Sequence, residues 1–196
     1  MYKAHIVLAH GAGQGMESDF MQECKRLFEI NAIKCTLFNF DYMAIAEETG
    51  KRRPPDRLPK LIQCFEAQLP HDKDLPLFVG GKSMGGRVAT HILQDSDAIA
   101  AICLGYPFHP PGKPEKTRTE HLSQIKKSIL VLQGERDPFG KPAEICGYEL
   151  PGNIQVEYVK DGEHSFKTTK ASGLSWQDNM QQAITGAVRF IDKVMG

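Results

Sequence analysis

The sequence predicts an α/β domain in which a mostly parallel, six-stranded sheet is flanked by helices. Three observations carry this prediction. Short continuous apolar runs recur along the chain, as strands buried on both faces of a parallel sheet require. Segments with helical spacing of apolar residues alternate with them, which is the βαβ order of a parallel sheet. The residues of unusual chemistry, His10-Gly11-Ala12-Gly13, Ser83, Asp137 and His164, all fall directly after predicted strands. Such sheets bind ligands at the carboxyl ends of their strands.

Taken in order, Ala4-His5-Ile6-Val7-Leu8-Ala9 is the first strand, and it ends in His10-Gly11-Ala12-Gly13. A helix is expected from about Ser18 to Ile30, with Phe20, Cys24, Leu27 and Phe28 on one face and Ser18 or Asp19 as cap. Ile33 to Phe40 reads as the second strand. Asp41 to Lys60 lacks clear periodicity and contains Lys51-Arg52-Arg53-Pro54-Pro55, so a long functional loop is expected, with a helical turn near Met43–Ala46. Leu58 to Leu69 carries Leu61, Ile62, Phe65 and Leu69 on one stripe and reads as a helix. Leu75 to Val79 is the third strand, and the helix after Ser83 turns Val88, Ile92 and Leu93 inward. Ile99 to Leu104 is the fourth strand. The stretch Gly105-Tyr106-Pro107-Phe108-His109-Pro110-Pro111-Gly112-Lys113-Pro114 holds too much proline for regular structure. Ile129 to Gln133 is the fifth strand, and a short helix is expected around Lys141 to Gly147. Ile154 to Val159 alternates as a half-exposed edge strand does. Trp176 to Val194 keeps helical spacing throughout.

The totals exclude several classes. With 196 residues, 41% hydrophobic and 24% charged, the chain suits one domain, residues 1–196, with one sizeable core. Lys plus Arg and Asp plus Glu are 24 each, so no nucleic-acid footprint is expected. The five cysteines are dispersed and form no C-x-x-C, which points to reduced thiols rather than a zinc or redox motif. No apolar run is long enough to span a membrane, and no leader-like segment precedes the first strand. A cytoplasmic enzyme without metal or cofactor is the expectation.

The chemistry centres on Gly81-Lys82-Ser83-Met84-Gly85, which fits G-x-S-x-G between a strand and a helix. In that setting the pattern is a nucleophile elbow. A tight turn lifts the serine hydroxyl above the sheet, and the helix N-terminus favours an oxyanion beside it. A phosphate loop fails on glycine spacing, since the required earlier glycine is missing. Serine needs a general base, and the base needs an orienting carboxylate. Asp137 and His164 follow in the chain order Ser, Asp, His that this fold type uses. Glu135 and Asp161 are competing carboxylates, the first nearer its strand and the second too close to His164. Among other histidines, His10 is expected to brace the oxyanion loop, while His109 and His121 belong to the excursion after the fourth strand and are candidates for the mouth. The oxyanion donors expected are the backbone N–H of Met84 and one from the first loop, Ala12 being the choice, with Gly11 or Gly13 open.

These motifs resemble the α/β-hydrolase superfamily, in a form without a large cap domain. Gly80-Gly81-Lys82-Ser83-Met84-Gly85-Gly86-Arg87, Arg53-Pro54-Pro55-Asp56-Arg57, Leu104 to Pro114 and Gly134-Glu135-Arg136-Asp137 are together similar to a small-hydrolase family. Its animal relatives are testis-expressed protein 30 and the third regulatory subunit of the nonspecific-lethal acetyltransferase complex. The resemblance implies the α/β-hydrolase fold over the whole chain and catalytic positions Ser83, Asp137 and His164. It supplies no substrate. Some of those relatives look like interaction subunits, which implies a second reading as a hydrolase-fold binding or scaffold protein with little turnover.

The main expectation is a serine hydrolase acting on a small-molecule carboxylic ester, thioester or amide. Candidate substrate-binding residues are Gly11, Gly13, Lys82, Arg53, Tyr106, Phe108 and His109. Two basic stretches leave strand ends: Lys51, Arg52, Arg53, Arg57 and Lys60 in one, and Lys113, Lys116, Arg118, Lys126 and Lys127 in the other. A solvated surface is the first reading of both. The sharper one places some of these cations at the mouth, where they would favour an acidic or phosphorylated substrate.

Overall fold

A computed structural model of the chain describes residues 1–72 and 74–196. Six strands form one sheet: β1 (Ala4–Ala9), β2 (Ile33–Phe38), β3 (Leu77–Lys82), β4 (Ala100–Leu104), β5 (Ser128–Gly134) and β6 (Ile154–Val159). Their order is β2-β1-β3-β4-β5-β6, and every pairing is parallel. Alternate residues of each central strand feed two separate cores. Ile6, Leu8, Ile102, Leu104, Leu130 and Leu132 face one side, while Val7, Ala9, Ala101, Cys103, Ile129 and Val131 face the other. This two-sided burial explains why the central strands read as unbroken apolar runs. Edge strand β6 keeps intermediate exposure at most positions, as its alternation predicts.

The helices α1 (Asp19–Ile30) and α6 (Trp176–Met195) cover one face, and a short helix, α5 (Pro142–Ile145), follows β5. α6 begins at a capping box in which Ser175 Oγ accepts from Asp178 N–H at 3.1 Å and Asp178 Oδ2 accepts from Ser175 N–H at 2.8 Å. The other face carries α3 (Leu58–Glu66) and α4 (Met84–Leu93), which bury Leu61, Phe65, Val88, Ile92 and Leu93. Burying such a side chain is worth roughly 1.5–3 kcal/mol.

One segment differs from its expectation. Asp41–Thr49 is a helix, α2, and not a loop with a single helical turn. Only Tyr42 is buried in it, so it carries no apolar stripe, and Gly50 ends it in a left-handed conformation at φ 66°. Residues 50–57 then follow as irregular, mostly exposed chain.

The excursion after β4 folds back onto the second face. Tyr106 donates to the Arg118 carbonyl at 2.9 Å, and Arg118 N–H donates to the Phe108 carbonyl at 2.7 Å. A 3-10 turn at Glu120–Gln124 then brings His121 onto α4. The His121 ring stacks on His91 at 3.7 Å with 13° between planes, and its Nε2 pairs with Thr90 Oγ1 at 2.8 Å. His121 is therefore a docking residue, away from the mouth. Burial and the Arg87 charge lower His91 to about 4, and burial, His91 and Arg87 lower His121 to about 3. Both stay neutral in the folded protein until well below the ordinary histidine value of about 6.5. The unfolded chain then binds up to about two more protons as pH falls through that range, so stability present above pH 6.5 is lost toward pH 4. Melting curves from pH 7.5 to 4.5 are expected to fall, with a shallower slope in His91→Asn/His121→Asn. An equal slope in that variant would remove the pair from the explanation.

Candidate active site

β3 stops one residue before Ser83 and α4 begins one residue after it. Ser83 itself sits at φ 52°, ψ −114°, a conformation that costs a non-glycine residue roughly 1–3 kcal/mol. Its N–H donates to the Leu104 carbonyl at 3.0 Å, and its carbonyl accepts from Arg87 N–H at 3.0 Å. The strain is thus held by β4 on one side and the first turn of α4 on the other. The sharp strand-to-helix turn expected around Ser83 is present.

Asp137 and His164 reach Ser83 from the loops after β5 and β6. His164 Nε2 lies 2.8 Å from Ser83 Oγ, and His164 Nδ1 lies 2.7 Å from Asp137 Oδ2. The carboxylate is fully buried and accepts twice more, from Gln133 Nε2 at 3.0 Å on Oδ2 and from Phe139 N–H at 2.9 Å on Oδ1. An acceptor-only carboxylate assigns the proton of His164 to Nδ1, which leaves Nε2 to accept from the serine hydroxyl. The competing carboxylates are engaged elsewhere. Glu135 Oε2 accepts from Asp161 N–H at 2.8 Å, and Asp161 pairs with Arg136 at 2.7 Å.

The loop after β1 is braced as its sequence suggested. His10 is buried, donates through Nδ1 to the Gly11 carbonyl at 2.6 Å and accepts the Phe40 N–H through Nε2 at 3.1 Å. Tyr42 donates to the Ala12 carbonyl at 3.1 Å. Burial lowers the His10 pKa, which suits a ring whose two nitrogens are both committed. Met84 is the first residue of α4, where a backbone N–H has no acceptor within the helix.

Two cavities meet at Ser83. One, of about 290 Å³, is lined by Gly11, Gly13, Lys82 and His164 together with the Phe20 side of α1. The other, of about 340 Å³, runs along α4 past Met84 and Arg87. Ala12, Ser83 and Phe139 line both. Among the described residues, no group of three or more His, Cys, Asp or Glu side chains is arranged to hold a metal ion. No helix there is long and apolar enough to cross a membrane.

Of the predicted substrate residues, Gly11, Gly13 and Lys82 line a cavity. Lys82, however, is buried and its Nζ donates to the His164 carbonyl, 5.4 Å from the centre of the Phe20 ring. Burial lowers its pKa to about 8, against the raising influence of Asp137 and Glu163. Its ammonium holds the histidine loop in place. Gly105 makes that packing possible. At φ 67°, a Cβ on it would lie 2.9 Å from the His164 carbonyl and 3.1 Å from Lys82 Nζ.

Arg53, Tyr106, Phe108 and His109 are not brought to the site. Arg53 is exposed and lines neither cavity. Tyr106, Phe108 and His109 are turned into the core, where Phe108 packs on Gly140 and Tyr148 and His109 Nε2 meets Glu144 at 3.2 Å. Proline excluded regular structure from this stretch but left Gly105 to His109 buried, while Pro111 to Lys116 are exposed. Pro107 and Arg118 are its residues that reach a cavity. The other basic residues stay outside both cavities: Lys51, Arg52, Arg57, Lys113, Lys116 and Lys126 are exposed, Lys60 pairs with Asp56 at 3.0 Å, and Lys127 caps the Leu93 and Ser96 carbonyls.

Sequence reasoning missed Phe139 and Arg87. Phe139 lies two residues after Asp137, and its ring rests 4.4 Å from the His164 ring at 35°. Arg87 had a legible signal, since position i+4 from Ser83 repeats the same helix face.

Comparison with known proteins agrees with this architecture. A family model described as an alpha/beta hydrolase domain matches residues 2–192. The fold is similar to an alpha-beta serine hydrolase homologue from Coxiella burnetii, at 11% identity and TM-score 0.71, over 97% of this chain and 87% of that one. It is similar to Est1E from Butyrivibrio proteoclasticus, at 14% identity and TM-score 0.69, over 99% and 89%. A serine hydrolase without lid from Xanthomonas campestris matches at 18% identity and TM-score 0.66, over 97% and 84%.

Proposed function

The chain belongs to the alpha/beta hydrolase domain family, and on that premise we propose that it is a serine hydrolase acting on a small-molecule carboxylic ester, thioester or amide. The supporting observation is the bridge His164 makes between Ser83 at 2.8 Å and buried Asp137 at 2.7 Å. The names of the structural neighbours, a serine hydrolase homologue and a serine hydrolase without lid, agree with a hydrolase. The motifs resembling the testis-expressed protein 30 family imply the same three positions, Ser83, Asp137 and His164.

In the proposed mechanism His164 Nε2 takes the Ser83 proton as Oγ attacks the carbonyl carbon. Asp137 holds the Nδ1–H tautomer and stabilises the imidazolium. The N–H groups of Met84 and Ala12 receive the oxyanion, each worth roughly 3–4 kcal/mol. The carbonyl–leaving-group bond breaks as His164 returns the proton to the leaving group. Water, activated by the same ring, then releases the acid. The absence of a large cap leaves the site open to small or extended acyl groups.

Hydrolysis of short p-nitrophenyl esters tests this. Turnover by the wild type that is lost in Ser83→Ala is the expected result. A well-folded wild type without turnover would favour a binding or scaffold role. Lys82 acts through the His164 backbone, so Lys82→Met is expected to lower kcat by up to about 10²-fold with KM little changed. An unaltered kcat would show that the loop holds itself.

A further inference from the structure

The two cavities at Ser83 differ in chemistry, and the proton path tells them apart. The leaving group has to depart where the protonated base can reach it. His164 lines the cavity that also holds Lys82, so the leaving group lies on that side. The acyl group then extends the other way, past Met84 and along α4.

The acyl-side cavity has apolar walls in Leu58, Leu61 and Val88. It also holds two arginines, Arg87 and Arg118, both partly buried. Among the described residues neither guanidinium makes a hydrogen bond or an ion pair, and Arg87 Nε is shielded from water with no partner. Burial and the nearby Arg87 charge both lower the Arg118 pKa. Asp56, the carboxylate lining the same cavity, is paired with Lys60 at 3.0 Å. Buried donors left unpaired are costly and rare in folded proteins. Two unpaired guanidiniums lining one cavity with apolar walls match a planar, bidentate anion.

We propose that this cavity is an acyl site for a short chain ending in a carboxylate, bound by Arg87 and Arg118. The substrate is then a monoester or monothioester of a dicarboxylic acid. The inference rests on the serine-hydrolase reading. In the reaction, Ser83 Oγ bonds to the ester or thioester carbonyl carbon and the bond to the leaving group breaks. The serine proton passes through His164 to that group. The distal carboxylate stays ionised and unreacted on the arginines.

The test compares pentanoyl and glutaryl thioesters of N-acetylcysteamine, which are matched in chain length and differ in the terminal carboxylate. At low salt the wild type is expected to favour the glutaryl substrate by at least about tenfold in kcat/KM. Arg87→Gln and Arg118→Gln should each lower that preference by roughly ten- to a hundredfold, the range of a charged hydrogen bond. No preference in the wild type, or a preference that is undiminished in both folded variants, overturns the proposal. If neither thioester is cleaved, turnover of p-nitrophenyl esters judges the hydrolase reading separately, and calorimetric titration of Ser83→Ala with glutarate decides the site. Binding that weakens at least about tenfold when Arg87→Gln or Arg118→Gln is added supports it. Absent or arginine-independent binding of glutarate overturns it, as does binding of inorganic phosphate in its place.

Discussion

Asp137→Asn is expected to lower kcat/KM on a short acyl ester by about 10⁴-fold, the cost of presenting the wrong histidine tautomer. Both carboxylate oxygens are acceptors, Oδ1 for Phe139 N–H and Oδ2 for Gln133 Nε2 and His164 Nδ1. An asparagine has to place its NH₂ at one of these positions. At Oδ1 it faces the Phe139 N–H, donor against donor. At Oδ2 it faces the Gln133 amide and forces Nδ1 of His164 to accept, which moves the ring proton to Nε2. Nε2 then has no lone pair for Ser83. The neighbouring Glu135 and Asp161 are tied to each other and to Arg136, so neither substitutes. Steady-state kinetics with the far-UV spectrum as a fold control measures this. Activity within tenfold of wild type would show that Asp137 does not set the tautomer.

Gly85→Ala is expected to destabilise the protein by about 3 kcal/mol or more. Helix propensity alone favours alanine by roughly 1 kcal/mol, so the sign of the effect is informative. A Cβ at Gly85 would stand 2.3 Å from the Ala9 carbonyl oxygen and 2.6 Å from that of His10. These are backbone atoms at the end of β1 and cannot turn aside. The first turn of α4 would have to lift from β1, carrying Ser83 and Met84 with it. Gly13→Ala is the contrast, because a Cβ there meets nothing within 4 Å. Urea denaturation of both variants is the measurement. Gly85→Ala at or above wild-type stability would mean that α4 does not depend on that close approach.

The parallel sheet was legible because both faces of its central strands are buried, which leaves unbroken apolar runs such as Ile6 to Ala9. The grouping of Ser83, Asp137 and His164 was legible because each follows a strand, and their chain order is itself informative. Helix α2 was not, since burial of Tyr42 alone creates no periodic stripe. Adjacency to Ser83 in sequence placed Lys82 at the cavity but did not show that its Nζ is committed to the His164 carbonyl. The stretch from Tyr106 to His109 misled. Its side chains are buried by packing against residues after Asp137 and against Tyr148, a long-range contact that local composition does not encode. Arg118 reaches the acyl-side cavity for the same reason, through the Phe108 and Tyr106 hydrogen bonds that fold the excursion back.

The most direct measurement is intact mass of the native protein after treatment with a fluorophosphonate, followed by peptide mapping. The expected result is one adduct per chain on Ser83, absent from Ser83→Ala and slowed strongly in His164→Ala. A folded wild type that stays unlabelled, or an adduct that maps to another residue, would contradict the assignment of Ser83 as nucleophile.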